Sequence, residues 1–268
     1  MNIDDFEAYC FDLDGTVYLG NNILPGAKET LDLLRMNQKK ILFITNSPTQ
    51  TREGCRKRLE ALGVDVSSEE ILTGPFISAL YFSENFPDAL IYVIGEEAIK
   101  TEFNHFSLKM TEDPLEATHV IVGLDRSFTY DKLNLAMTAV RNGAKLIVTN
   151  PDPTCPVPGG VVSDTYAIAR AIEVASGQPI FEVTGKPSAF YGERILKQLN
   201  VDRDRCLIVG DRLETDILLG KFSKIRTCLV LSGVARKEDV DQMKIYPDYI
   251  IKDLNSLLTS FSRSLPLL

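Results

Sequence analysis

Short apolar runs recur along the chain at 8–13, 40–45, 90–94, 119–123, 145–148, 181–183, 205–209, 227–231 and 249–251. They are near-continuous rather than alternating, which is how strands buried on both faces read. Longer stretches with helical patterning lie between them, near 27–36, 52–62, 74–86, 131–142, 164–176, 188–199 and 215–221. Strands and helices in alternation predict an α/β protein with a doubly wound, mostly parallel sheet. Pro25-Gly26 and Lys186-Pro187 mark helix entrances. Asn37 and Gly63 mark helix ends, because both residues tolerate the left-handed conformation. The stretch 149–160 carries four prolines and two glycines and is expected to lack regular structure. Loops of that length in compact domains are often functional.

The bulk composition narrows the class. At 268 residues, the chain can form one large or two modest domains, and 44% hydrophobic with 25% charged residues is ordinary for a soluble globular protein. A formal net charge of −8 argues against nonspecific binding to nucleic acid or an anionic membrane surface. It leaves room for a small anionic substrate, since a metal ion can invert the local field. The five cysteines are scattered without a CxxC pair, a reduced, cytoplasmic pattern, and Cys10, Cys206 and Cys228 read as core residues. Two histidines do not make a histidine-rich metal site. The acidic start is unlike a signal peptide, and no apolar run approaches the roughly 20 residues needed to span a bilayer.

The chemistry lies at the ends of the apolar runs. Cys10-Phe11-Asp12-Leu13-Asp14-Gly15-Thr16 closes the first, and Gly210-Asp211-Arg212-Leu213-Glu214-Thr215-Asp216 follows the run 206–209. Carboxylates just past strand C-termini face the crevice in which open α/β sheets bind ligands. Asp12, anionic with an ordinary pKa of about 3.9, is a candidate covalent nucleophile toward phosphorus. Its attack on a phosphate dianion needs a bridging cation, and Mg²⁺ suits a few protein oxygens plus water and phosphate. Asp12 and Asp211 can supply two ligands and the Asp14 carbonyl a third. The Asp14 side chain, two residues on, can serve as general acid and then base. Thr45, Asn46 and Ser47 offer uncharged donors for phosphate oxygens at another strand end. Lys186, at a helix entrance, can offset charge between nucleophile and phosphate. Asp216 can orient that lysine or a metal-bound water.

Together these residues resemble the haloacid-dehalogenase-like (HAD) phosphatases. Asp12-Leu13-Asp14-Gly15-Thr16 matches the first motif, Thr45 the second, Lys186 the third, and Gly210-Asp211 to Asp216 the fourth. The resemblance implies that Asp12 is the nucleophile and Asp14 the acid and base. It also implies that Mg²⁺ is held by Asp12, the Asp14 carbonyl and Asp211. Phe43-Ile-Thr-Asn46, Val93-Ile-Gly-Glu96, Thr149-Asn-Pro-Asp152 and Gly185-Lys-Pro-Ser188 point to the NagD-like subfamily, which covers most of the chain. About thirty residues between Asp14 and Thr45 leave no room for a domain, so a cap belongs after the second motif. The expected division is core at 1–77, inserted α/β cap at 78–180, and core at 181–268.

The loop 149–160 then falls in the cap, with Asp152 and Cys155 as candidate substrate contacts. Relatives acting on pyridoxal phosphate or phosphoglycolate carry a histidine before a proline where this chain has Cys155-Pro156. The expected activity is Mg²⁺-dependent hydrolysis of small phosphomonoesters: sugar phosphates, nucleoside monophosphates or nitrophenyl phosphate. The alternatives are a phosphomutase or phosphotransferase using the same intermediate, and a non-catalytic regulator on this fold. Caps of this subfamily often dimerise, so a homodimer through the cap is a further expectation.

Overall fold

A computed structural model describes residues 2–157 and 159–262. Along the chain the strands are β1 (Ala8–Phe11), β2 (Tyr18–Leu19), β3 (Asn22–Ile23), β4 (Lys40–Ile44), β5 (Ile71–Leu72), β6 (Leu90–Ile94), β7 (Lys109–Thr111) and β8 (His119–Val122). They continue as β9 (Lys145–Val148), β10 (Thr154–Val157), β11 (Gly160–Ser163), β12 (Glu182–Val183), β13 (Cys206–Gly210), β14 (Arg226–Val230) and β15 (Tyr249–Ile251). The helices are α1 (Ala27–Met36), α2 (Arg52–Ala61), α3 (Gly74–Asn85), α4 (Glu97–His105) and α5 (Tyr130–Arg141). After these come α6 (Thr165–Ser176), α7 (Ala189–Leu199), α8 (Leu218–Ser223), α9 (Lys237–Met243) and α10 (Leu254–Ser262).

The chain forms two compact units. One comprises the described chain up to Thr45, Arg56–Leu72, and the chain from Lys186 onward; the other comprises Asn46–Cys55 and Thr73–Gly185. The division falls a few residues outside the expected 78–180 segment, and the second unit also takes in the short stretch after Thr45.

In the first unit, six strands among the described residues form a sheet in the order β15-β14-β13-β1-β4-β5. Every pairing in it is parallel. The chain leaves β1 toward β4 on one side and later returns to pair β13 on the other, so strand order reverses at β1. Its C-terminal end is therefore the topological switch point, where such sheets leave a crevice. The strands β1 and β13 are buried along their whole length, and Cys10, Cys206 and Cys228 are core residues.

The second unit has its own parallel sheet, β12-β9-β8-β6-β7. One of its apolar clusters joins Val120, Val122, Leu146 and Val148 of the sheet to Ala136, Ala139 and Val140 of α5 and Ala169 and Ile172 of α6. No helix among the described residues is long and apolar enough to cross a membrane.

Three local expectations are corrected. The proline-rich stretch is irregular over 149–153 but not beyond: β10 and β11 pair antiparallel, with Cys155 opposite Val162 and Pro156 opposite Val161. A two-stranded ribbon has a free edge on each strand, and a proline facing that edge removes no ladder hydrogen bond. Pro158, in the same stretch, lies outside the described residues. Asn37 does not take the left-handed conformation; its side-chain amide caps α1 by donating to the Leu33 carbonyl (2.8 Å), and Gln38 has the positive φ instead. Gly63 does take it, at φ 81°. Finally, the expected helix from Thr215 begins as a wide π turn over Leu213–Ile217 before tightening into α8.

Candidate active site

Asp12 directly follows β1, and its backbone N–H still donates to Val209 of β13 (2.8 Å), so the residue leaves the sheet in register. Asp211 follows β13 in the same way. The π turn returns Asp216 toward the strand end, where its carboxylate accepts from the Arg212 N–H (3.1 Å). Such wide turns recur at functional positions because they aim one side chain off the regular helical repeat. As a result Asp12, Asp211 and Asp216, all buried, bring carboxylate oxygens within 4.8 Å of one another.

Lys186 is 1% exposed and reaches into this cluster. Its Nζ donates to Asp12 Oδ1 (2.6 Å), to Asp216 Oδ1 (2.7 Å) and to the Ile44 carbonyl (3.3 Å). The backbone that delivers it is fixed next door, where the Ser188 hydroxyl caps α7 by accepting from the Tyr191 N–H (3.1 Å).

The cluster carries more negative than positive charge. Burial, together with Asp216 and Asp211, pushes the Asp12 carboxyl well above the usual carboxylate range, with Lys186 pulling the other way. Burial and then Asp216 push Asp211 up to about 7, opposed by the Val234 N–H that it accepts at 2.7 Å. Burial alone would lower the Lys186 pKa, but Asp12 and Asp216 outweigh it and keep the ammonium charged. Two of the three carboxylates thus share one cation, and the third is held by a backbone donor.

That donor set fits a hard divalent cation. The groups are carboxylate oxygens without nitrogen or sulfur, the combination suited to Mg²⁺ and poor for softer metals. The backbone is cut back around Asp211: a Cβ on Gly15 or Gly233 would collide with its Oδ2. Gly15 also has φ 90°, which only glycine takes without strain, and this turns the chain sharply away after Asp14.

Asp14 stands outside the three-carboxylate cluster. The Arg58 guanidinium lies 3.8 Å from its Oδ1. Burial raises its pKa, and Arg58 counters part of that rise. Thr45 is buried, and its N–H donates to the Leu72 carbonyl (3.0 Å). The Tyr191 hydroxyl donates to that carbonyl (2.7 Å) and reaches the Thr45 carbonyl at 3.4 Å. Sequence reasoning missed Arg58, Tyr191 and Gly233. Arg58 reads as an ordinary surface charge of α2.

The remaining candidates belong to the second unit. Asn46 donates through Nδ2 to Asp152 Oδ2 (2.9 Å), and Asn150 donates to the same oxygen (2.9 Å). Thr149 Oγ1 in turn donates to Asn150 Oδ1 (2.8 Å). Asp152 is therefore a buried carboxylate fixed by two amides. The Ser47 and Thr49 hydroxyls lie 3.5 Å apart. Cys155 is half-buried on β10 and is in no disulfide.

Comparison with known proteins agrees with this geometry. Residues 9–109 match the family described as haloacid dehalogenase-like hydrolase, and residues 183–257 match one described as HAD-hydrolase-like. An acid sugar phosphatase from Staphylococcus epidermidis is 36% identical over 259 residues, covering 96% of this chain and 99% of its own. A 4-nitrophenylphosphatase from Thermotoga maritima superposes with a TM-score of 0.90 at 32% identity, over 96% of this chain and 98% of that one. NagD from E. coli K-12 gives 0.84 at 31% identity, over 95% and 98%.

Proposed function

This chain belongs to the haloacid dehalogenase-like hydrolases, in their NagD-like phosphatase branch, and we propose that it hydrolyses small phosphomonoesters with Mg²⁺ through a phosphoryl group carried on Asp12. The observation that supports this best is Lys186 bridging Asp12 and Asp216 beside Asp211. It fixes one oxygen of a buried carboxylate and leaves the other for attack. The Mg²⁺ would be held by Asp12, Asp211 and the Asp14 carbonyl, and when bound it offsets the charge of the incoming phosphate. Asp216 positions Lys186.

The chemistry of the chain itself then has two steps. Asp12 attacks phosphorus in line, the ester P–O bond breaks, and Asp14 gives its proton to the departing alkoxide. Asp14, now a carboxylate, takes a proton from water as that water attacks the same phosphorus. The acyl-phosphate P–O bond breaks, inorganic phosphate leaves, and the Asp12 carboxylate is restored. Thr45, followed in the chain by Asn46 and Ser47, supplies uncharged donors to the non-bridging oxygens. The second unit acts as a cap that selects the leaving group, with Asp152 and Cys155 as its specificity contacts.

Sugar phosphates are the first substrates to try, given the acid sugar phosphatases among the relatives. The test is phosphate release from a panel of sugar phosphates, nucleoside monophosphates and nitrophenyl phosphate, with Mg²⁺ and with chelator. Release that needs Mg²⁺ and is lost in Asp12→Asn supports the reading. Silence across the panel in a folded, Mg²⁺-supplied sample would favour the regulatory alternative.

A further inference from the structure

Two segments of the second unit run directly into residues of the candidate site. Asn46 follows Thr45 in the chain, and Gly185 precedes Lys186. A third segment, 149–152, leaves the end of β9 and meets both. Asn46 Nδ2 and Asn150 Nδ2 donate to the same Asp152 oxygen, each at 2.9 Å, and Thr149 Oγ1 donates to Asn150 Oδ1 (2.8 Å). Gly185 packs against this group: a Cβ there would collide with the Thr149 carbonyl oxygen and lie 2.8 Å from Asn46 Oδ1. The backbone behind Asp152 is pinned as well. Its carbonyl accepts from the Tyr166 N–H (3.1 Å), and the Pro153 carbonyl accepts from the Asp164 N–H (3.0 Å). Thr149, Asn150 and Asp152 are all buried.

The residue type at 152 decides how these amides point. An amide side chain can turn either its oxygen or its nitrogen toward a neighbour, whereas a carboxylate only accepts. Asp152 therefore turns both amides the same way, nitrogen toward itself. The Asn46 oxygen is left on the Gly185 side, and the Asn150 oxygen is left for the Thr149 hydroxyl. An amide at 152 could flip and meet both asparagines with a donor. Hydrogen bonds to a charged acceptor are also roughly twice as strong as neutral ones. An acid at this position thus holds the side chain that follows Thr45 in one orientation.

We propose that Asp152 is a positioning residue for phosphate binding: through Asn46 it fixes the segment that carries the phosphate donors Thr45, Asn46 and Ser47. This rests on the reading of those residues as phosphate donors, and it is additional to contact with the leaving group. Donors already in place need no reordering when the phosphate arrives, which is what lets them stabilise its charge. Misplacing such a group by about 1 Å can cost roughly a hundredfold.

The experiment measures the inhibition constant of inorganic phosphate, with Mg²⁺ present and nitrophenyl phosphate as the reporter substrate. It compares wild type, Asp152→Ala, Asp152→Asn, Asn46→Ala, Asn150→Ala and the double variant Asn46→Ala with Asp152→Ala. Inorganic phosphate has no leaving group, so leaving-group contacts do not enter. Asp152→Ala should weaken phosphate inhibition about tenfold and lower kcat/KM on nitrophenyl phosphate by a similar factor. Asp152→Asn, which keeps one acceptor oxygen, should lose less, and it carries the test should Asp152→Ala fail to fold. In the Asn46→Ala background a change at Asp152 should add little, since the two residues act through one hydrogen bond. Asn150→Ala leaves the Asn46–Asp152 bond in place. It should lower the melting temperature and leave phosphate inhibition near the wild-type value. The positioning role is overturned, and the phosphatase reading stands, if the Asp152 variants keep wild-type phosphate inhibition and slow only sugar phosphates. It is overturned equally if Asn150→Ala shifts phosphate inhibition as much as they do, or if their effect persists in full without Asn46. A wild type that neither turns over nitrophenyl phosphate nor binds inorganic phosphate would sink the phosphatase reading, and the proposal with it.

Discussion

Removing one charge from the carboxylate cluster should have opposite effects on stability and on activity. Asp211→Asn is the cleanest perturbation, because Asp211 is the member without a lysine contact and an asparagine oxygen can still accept from the Val234 N–H. Two like charges 4.8 Å apart repel by about 3.5 kcal/mol at an effective dielectric of 20. The raised pKa, caused first by burial and then by Asp216, puts the whole cost of the charged form at about 4 kcal/mol, for a shift from 3.8 to about 7. Weakening a charge-assisted hydrogen bond to a neutral one returns about 1 kcal/mol of this. The chelated variant should therefore be more stable than chelated wild type by about 1–3 kcal/mol, or about 2–10 °C in Tm.

The pH dependence follows from the same shift. In metal-free wild type, the folded state keeps the Asp211 proton up to about pH 7, whereas the unfolded chain sheds it near the ordinary value. Stability from this group is therefore greatest at low pH and falls as pH rises toward 7, after which the full cost is present. The advantage of Asp211→Asn should be small near pH 4.5, grow to about pH 7, and level off above it. Mg²⁺ should reverse the order, raising the Tm of wild type by mass action and leaving the variant almost unmoved. Thermal melts of both proteins across pH, with chelator and with Mg²⁺, make the measurement. A variant less stable than wild type in chelator at pH 8 would refute the charge argument.

Other expectations follow from individual contacts. Asp12→Asn should abolish phosphate release while the far-UV circular dichroism stays native. Lys186→Met should lose activity and also about 3–5 kcal/mol of stability in chemical denaturation, because it leaves two buried carboxylates without their shared cation. Gly233→Ala should raise the Mg²⁺ concentration needed for half-maximal activity by roughly tenfold, since the new Cβ displaces the Asp211 carboxylate; unchanged Mg²⁺ activation would remove Asp211 from the metal set. Cys155→His should change the ranking of substrates in the phosphate-release panel more than it changes nitrophenyl phosphate turnover.

The sequence made the strand-end carboxylates legible because Asp12 and Asp211 each directly follow a buried strand. Asp12 and Asp211 stand one residue past β1 and β13, at the strand ends where open α/β sheets put their ligands. The Lys186 contacts could be expected in kind, but its simultaneous hold on Asp12 and Asp216 depends on the π turn, and no periodicity announces such a turn. The short elements β2, β3, β5 and β7 carry too few residues for a pattern. Helix α4 escaped because its polar residues hide a narrow buried stripe of Ala98, Ile99, Glu102 and Phe103. The hairpin β10–β11 escaped for the opposite reason: its prolines and glycines say loop, while free ribbon edges tolerate them. Arg58 illustrates a more general limit, since a charge brought beside Asp14 from a distant helix leaves no signature in its own surroundings along the chain.

The second unit is not one continuous length of chain. Asp152 takes one of its two amide donors from Asn46. Glu102, a buried acid of α4, accepts the Arg52 N–H at 2.7 Å, and the Arg52 guanidinium covers the Phe76 ring at 4.2 Å. Anyone transplanting this unit between relatives as the single segment 73–185 would take the Arg52 donor from Glu102 and one of its two amide donors from Asp152. Exchanges of this unit that keep the recipient foldable must therefore carry Asn46–Cys55 with the larger segment, so recombination at one pair of crossover points is the wrong design.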